Sequence, residues 1–321
     1  SLLLDREPFP SIFEETMERY LYAVSSKHYS VRWRERSCRE TILNAFGKNE
    51  WLCNPFLNAI FASNARDEVL DLPRGWYGGG SSSIKALAQS AYVRAATSRA
   101  ARAAFSRQAV LIDPLPDNSS YILIAGGNTR LRLFDFARRE ATTILKSRFN
   151  KSFVNADLEL RAAHPWLPVL PVLRVLDNGC AYVEPIVSSY TAASLPNSEC
   201  QQRAVLLAVE SCDRLGRVTA ETVPLNLHLS RILQRCWACA TALQARLGFF
   251  AFKVARYLSS IESSAQAVCS NGDYCMQIGY SHGDLALGNI LVDGDDVYLI
   301  DWERAAIRML GLIRSLWFLV L

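Results

Sequence analysis

Residues 281–303 read SHGDLALGNILVDGDDVYLIDWE. A packed core has little use for His282-Gly283-Asp284, an Asn five positions after that Asp, and Asp301 closing an apolar run. A site that handles metal and phosphate has a use for each. Asp284 stands in a predicted loop just before the strand NILV, where a carboxylate can accept the proton of an attacking hydroxyl. Asn289 offers a neutral oxygen and Asp301 a charged one, and hard oxygen donors of this kind suit Mg²⁺. The acidic turn DGDD joins NILV to VYLI, so a hairpin is expected to bring Asn289 and Asp301 close together. The competing reading makes Asp284 and Asn289 turn caps and Asp301 a strand end.

Upstream, AGGNTR lies between two predicted strands, and Gly126 and Gly127 can form a turn that brings backbone N–H groups near a phosphate chain. The same letters serve equally as an ordinary hairpin turn. Lys146 ends the strand TTILK and shares a face with Thr142 and Ile144. Taken alone, a lysine there is more often solvated. Glu159 lies in the predicted helix NADLELRAA, and a Lys146–Glu159 pair would hold the ammonium where it can meet nucleotide phosphates.

The wider chain supplies context. Its 321 residues, half apolar and 21% charged, have globular composition with ample material for a core. A net charge of +4 is too mild to imply nucleic acid by itself. Nine irregularly spaced cysteines argue against a disulfide framework and for a reducing compartment. Cys236 and Cys239 have CxxC spacing, but the surrounding period is helical and core cysteines are the expectation. No run reaches the roughly 20 apolar residues of a membrane helix, and the N-terminus lacks the basic start of a signal peptide.

Residues 11–110 read mostly helical: SIFEETMERYLYAV with a Ser11/Glu14 capping box, then VRWRERSCRETILNAF, then the loop WYGGGSSS. A basic stretch carrying Lys85, Arg94, Arg99, Arg102 and Arg107 follows. It is either a solvated helix face or a contact for an anionic partner such as RNA or a membrane surface. From Leu111 the texture turns to short strands (VLIDPL, SYILIAGG, RLRLFDF, ATTILKS), a helix FVNADLELRAA and a strand CAYVEPIV. Long helical patterns run from about residue 197 to 266.

HGDLALGN followed by LIDWE resembles the catalytic and metal-binding segments of the aminoglycoside/choline phosphotransferase family, within the protein-kinase-like fold. Protein kinases carry H-R-D-x-x-x-x-N and D-F-G at these places; here Gly283 replaces the Arg and Asp301-Trp302-Glu303 stands for the metal triplet. The resemblance covers roughly residues 111–305. It implies an α+β, bilobal fold: a helical extension over 1–110, a small antiparallel-sheet lobe over 111–184, and a mainly helical lobe over 185–321. It implies Asp284 as the base, Asn289 and Asp301 as Mg²⁺ ligands, and Lys146 on the α/β phosphates, oriented by Glu159. Gly126 and Gly127 would cover the phosphates, and the backbone near Glu184 and Ile186 would receive adenine.

The implied chemistry is transfer of the γ-phosphoryl group of ATP to a hydroxyl of a small molecule or sugar, by a cytoplasmic protein without nucleic-acid partners. The alternative is a catalytically inactive kinase-like module that binds nucleotide or serves as a scaffold. Relatives extend beyond the place where this chain ends. The helical lobe is therefore expected to be truncated, with the apolar IRMLGLIRSLWFLVL read as a core helix that wants further helices or a protein partner over it.

Overall fold

The computed structural model describes residues 8–37, 39–40, 49–77, 84–187, 190–195, 198–247, 249–270, 272, 274–302 and 308–310. Its fold is α+β. The dominant feature is a nine-stranded antiparallel sheet in the spatial order β1-β4-β2-β3-β5-β6-β7-β9-β8. The strands are β1 (Ser30–Glu35), β2 (Glu50–Asn54), β3 (Ala59–Ala62), β4 (Gln108–Asp113), β5 (Ile122–Gly126), β6 (Arg130–Asp135), β7 (Glu140–Leu145), β8 (Arg174–Leu176) and β9 (Ala181–Pro185).

The first 110 residues are therefore no separate helical extension, because β1, β2, β3 and the start of β4 belong to this sheet. The segment read as a helix from Val31 begins as a strand. Val31 and Trp33 alternate with Arg32 and Arg34, a two-residue period. The alternation sends both apolar side chains toward helix α1 (Phe9–Ser25), where Trp33 meets Phe9 and Phe13 edge-on. The helix itself carries Phe9, Phe13, Met17 and Tyr20 on one buried stripe.

The expected capping box does not form. Ser11 Oγ donates to the Pro8 carbonyl, and Glu14 Oε1 accepts the Trp33 N–H at 2.5 Å. One turn on, Glu18 Oε1 accepts the Val31 N–H at 2.9 Å. Since β1 is the sheet's edge, its outward N–H groups need acceptors. Two glutamates four residues apart on α1 provide them.

Two further helices, α2 (Asp67–Tyr77) and α3 (Ile84–Thr97), belong to a second apolar cluster, with Val69, Leu70, Val93 and Ala96 packed against Leu52, Phe61 and Leu123. Within the basic stretch, Arg102 is buried and donates to the Ala65 carbonyl. That places it among structural contacts, while Arg94 and Arg99 are exposed. The glycines and serines 78–83 lie outside the described residues.

The chain divides into two compact units: Ser1–Ala208 with Asp284–Glu303, and Val209–Gly283 with Arg304–Leu321. The boundary falls inside α5 (Ser198–Val218), so the expected division at residues 110 and 184 is not the one found. The second unit contains the end of α5, then α6 (Leu225–Leu247), α7 (Phe249–Cys269) and a small sheet of β11 (Glu221–Pro224), β12 (Cys275–Tyr280) and β15 (Arg308–Leu310). The end of the chain, read as a core helix, includes the strand β15, paired with β12; the rest of it lies outside the described residues. Cys236 and Cys239 sit on α6 as read, but both are exposed.

Inside this unit, β12 approaches α5 so closely that a Cβ on Gly279 would lie 2.3 Å from the Gly216 carbonyl oxygen. Backbone cannot yield as a side-chain tip can. Gly279→Ala should therefore cost about 1–3 kcal/mol, read as a lower midpoint in thermal unfolding followed by circular dichroism. Gly75→Ala, in α2 with open space around it, should instead be neutral or stabilising by up to about 1 kcal/mol. Equal midpoints for Gly279→Ala and wild type would contradict the close approach.

Candidate functional site

The opening motif folds as its spacing predicts. Strands β13 (Ile290–Asp293) and β14 (Asp296–Leu299) form the expected antiparallel hairpin, extended to three strands by β10 (Tyr190–Thr191). At its open end the Ile300 N–H donates to the Asn289 carbonyl at 3.0 Å, which sets Asn289 one residue from Asp301. Asn289 Nδ2 donates to the Asp284 main-chain carbonyl at 2.8 Å, closing the 284–289 loop on itself. The Asp284 side chain is left exposed.

Two backbone conformations here are unusual. Gly283 has φ +80°, a region glycine enters without the Cβ penalty that the kinase arginine would meet. Asp301 has φ +66°, which costs a non-glycine residue about 1–3 kcal/mol and persists only where neighbours enforce it. Those neighbours are visible: Ile300 is held by Asn289 on one side. On the other, Trp302 is buried, with its Nε1 donating to the Leu299 carbonyl at 3.0 Å. Strain of this kind clusters at functional sites, and Asp301 is of a residue type that suits a metal. Among the described residues no group of three His, Cys, Asp or Glu gathers as a metal cluster. Mg²⁺, however, commonly takes only one or two protein oxygens and completes its shell with water and phosphate.

The nucleotide residues fare differently. Gly126 ends β5 opposite Leu131, and the Gly127 N–H donates to the Arg130 carbonyl at 2.8 Å, which makes GGNTR a tight hairpin turn. Lys146 directly follows β7 and is 1% exposed. Its Nζ donates to the Asn128 carbonyl at 3.0 Å and lies 5.0 Å from the Phe9 ring centre, while its own N–H donates to the Thr129 carbonyl. Lys146 thus holds the turn closed from the α1 side.

Ile144, two residues before Lys146, belongs to the α1 core with Phe13 and Met17. The intervening Leu145 packs with Val154 of α4 (Ser152–Ala163) and with Tyr182. Lys146, one residue past the strand, sends its Nζ between the Phe9 and Phe149 rings to the Asn128 carbonyl, and no Lys146–Glu159 ion pair forms among the described residues. Glu159 is exposed, and no ion pair holds it among the described residues.

The pairing expected of those two residues is made by others. Arg130 on β6 reaches Asp157 on α4 at 3.0 Å, and Arg161 clamps the other Asp157 oxygen at 2.8 Å. Tyr182 donates to Asp157 Oδ2 at 2.7 Å. Arg161 also donates to Glu184 at 2.6 Å, and Arg132 approaches the second Glu184 oxygen at 3.6 Å. Burial alone would raise the Asp157 carboxyl; the guanidiniums of Arg161 and Arg130 and the Tyr182 hydroxyl outweigh it and hold Asp157 below the ordinary aspartate range. Burial pushes the Tyr182 hydroxyl upward, helped by the negative charges of Asp157 and Glu184. Glu184, expected to lend its backbone to adenine, lies in the β7–β9 ladder opposite Ala141. The Ile186 N–H, the other expected adenine contact, already donates to the Arg139 carbonyl at 2.8 Å.

One loop joins this buried network to the hairpin. Arg161 donates to the Leu170 carbonyl at 2.9 Å, and two residues earlier the Pro168 carbonyl accepts the Leu299 N–H at 2.6 Å. Both ends of the candidate site thus rest on the segment after α4. Sequence reading missed Arg130, Arg132 and Asp157. Two signals could have found them: the alternation R-L-R-L in β6, and the four-residue spacing of Asp157 and Arg161 on one helix face.

No family model matches the chain, and no curated protein matches it. Among solved structures it is similar to a glucosamine kinase, at 11% identity and TM-score 0.34 over 56% of this chain and 51% of that one. It is also similar to a choline/ethanolamine kinase family protein from Mesorhizobium loti, at 16% identity and TM-score 0.37 over 68% and 65%. A third similar structure is the choline kinase LicA from Streptococcus pneumoniae, at 12% identity and TM-score 0.29 over 61% and 64%. The chain matches between about half and two thirds of the length of these proteins. Among the described residues no helix is long and apolar enough to cross a membrane.

Proposed function

We propose that this protein transfers a phosphoryl group from Mg²⁺-bound ATP to a hydroxyl of a small molecule or sugar. The single observation that carries the reading is the hairpin end: Asn289 tied to the Asp284 loop, and Asp301 held at φ +66° beside it. When bound, ATP would supply the γ-phosphoryl group and Mg²⁺ would neutralise its charge. Asp284, exposed at the head of its loop, would accept the proton of the acceptor hydroxyl. Asn289 and Asp301 would hold the metal through their side-chain oxygens, and the Asn289 bond to the Asp284 carbonyl would keep base and metal site in fixed relation. Lys146, Glu159 and Ile186 take no part in this reading, because their polar groups face elsewhere or are already engaged.

A thermal-shift titration tests it. Mg²⁺ with ATP should raise the melting temperature, increasingly as ligand exceeds Kd. Asp301→Ala should lose the Mg²⁺-dependent part of that rise. ADP release, followed over a panel of sugars, amino sugars and amino alcohols, would then identify the acceptor. The engaged Lys146 and Ile186 favour a second reading, a kinase-like scaffold without nucleotide. Melting temperatures insensitive to Mg²⁺ and ATP would support that scaffold and overturn the phosphotransferase.

A further inference from the structure

We infer that Arg132, on β6, is the residue that meets the nucleotide phosphates, in the role the sequence assigns to Lys146; the inference rests on the phosphotransferase reading. Three observations carry it. The first is where each cation lies. Arg132 pairs with Thr143 across the β6–β7 ladder and with Leu145's partner Arg130 shares the α4 face, because directly opposed residues of antiparallel strands point to the same side. Lys146 lies past the end of β7, its Nζ 5.0 Å from the Phe9 ring centre and 5.9 Å from that of Phe149, and so is enclosed by aromatic rings.

The second is availability. Lys146 is 1% exposed and bonded to the Asn128 carbonyl, whereas the Arg132 side chain is 29% exposed. The Arg132 side chain makes no hydrogen bond among the described residues, and its one ion pair there is with Glu184, at 3.6 Å. Arg161 already donates to Glu184 Oε1 at 2.6 Å, so Glu184 keeps a cation if Arg132 turns away. A guanidinium with five donors and a long, loose ion pair is well suited to exchange that pair for a phosphate fork.

The third is an independent polar group on the same face. The Thr143 hydroxyl, on a residue 2% exposed and directly across the ladder from Arg132, has no hydrogen-bonding partner among the described residues. A buried hydroxyl without a partner is a destabilising choice unless something completes it. A phosphate oxygen drawn in by Arg132 would accept its proton. The buried Arg130–Asp157–Arg161 set beneath would then hold Arg132's strand and helix in register, acting through position and not by contact.

Calorimetric titration of the intact chain with ATP, tripolyphosphate and adenosine separates phosphate from base contacts. Arg132→Gln should bind ATP and tripolyphosphate about tenfold or more weakly and adenosine unchanged. Lys146→Met should bind ATP within about twofold of wild type even where its melting temperature falls. On the wild-type protein, ATP should protect Arg132 from modification by phenylglyoxal, mapped by mass spectrometry, which gives a readout that no variant's folding can obscure. Wild-type ATP affinity in Arg132→Gln, or no protection of Arg132, overturns the inference and leaves the phosphotransferase reading standing. No ATP binding by the wild-type chain overturns both.

Discussion

Asp284→Asn is expected to lower phosphoryl transfer by about 10²–10⁴-fold, the usual range for removing a positioned proton acceptor, while affinity for Mg²⁺ with ATP stays near wild type. The structure makes this substitution a clean test. Asn289 Nδ2 bonds the main-chain carbonyl of Asp284, not its carboxylate, so an amide in place of the acid leaves the loop tie intact. The side chain is exposed, so no burial term changes with it. Loss of turnover together with loss of nucleotide binding would mean that Asp284 holds phosphate or metal instead of a proton. Turnover equal to wild type, measured as ADP release with the acceptor found in the panel, would remove the base from the mechanism. Asn289→Ala differs in kind, since it cuts the loop tie and a metal oxygen together and should weaken both readouts.

The parts of this site legible in the sequence are those fixed by local spacing. DGDD between two apolar strands dictates a hairpin, and the hairpin sets Asn289 near Asp301 whatever surrounds it. The strands from Ile122 to Pro185 were legible for the same reason, since their alternation and turn residues are local signals. The letters around Gly126 and Gly127 suit a phosphate-covering loop or a hairpin turn, and the turn forms, with the Lys146 ammonium bonding the Asn128 carbonyl within it.

What stayed hidden is which face of the sheet each helix covers. Alternation puts Thr142 and Ile144 on one face, but nothing in TTILK says that α1, a segment more than a hundred residues earlier, packs on that side. Once α1 takes it, α4 is left with Leu145, Thr143 and the arginines of β6. Phase on α4 follows: Val154, Asp157 and Arg161 face inward, and Glu159 falls on the exposed side. The first hundred residues misled through composition. Arginines interleaved with Val31 and Trp33 suggested a basic helix, although the two-residue period was there, and the acids needed by that edge strand came from α1.

Asp157→Asn is the stability counterpart, and its cost should be large: about 3–5 kcal/mol, as when one partner of a buried ion pair is removed and the others stay. Asp157 lies between Arg130 at 3.0 Å and Arg161 at 2.8 Å, with all three side chains buried. The amide keeps the shape but removes the charge that Arg130 and Arg161 both meet, leaving Arg161 with Glu184 and the Tyr182 hydroxyl with a weaker acceptor. A urea titration followed by circular dichroism would read this as a lower midpoint. Acid gives an independent check with a definite sign. The Asp157 carboxyl is held below its unfolded value of 3.8. Its stabilising contribution is therefore complete above about pH 4 and is lost as pH falls through the lower, folded-state value. Wild type should weaken over that acid range and approach Asp157→Asn, whose own dependence there should be flatter. A gap between the two proteins that stays constant from neutral pH down past that range would mean that Asp157 contributes shape alone, and that the charge pairing to Arg130 and Arg161 is not what fixes α4 against the sheet.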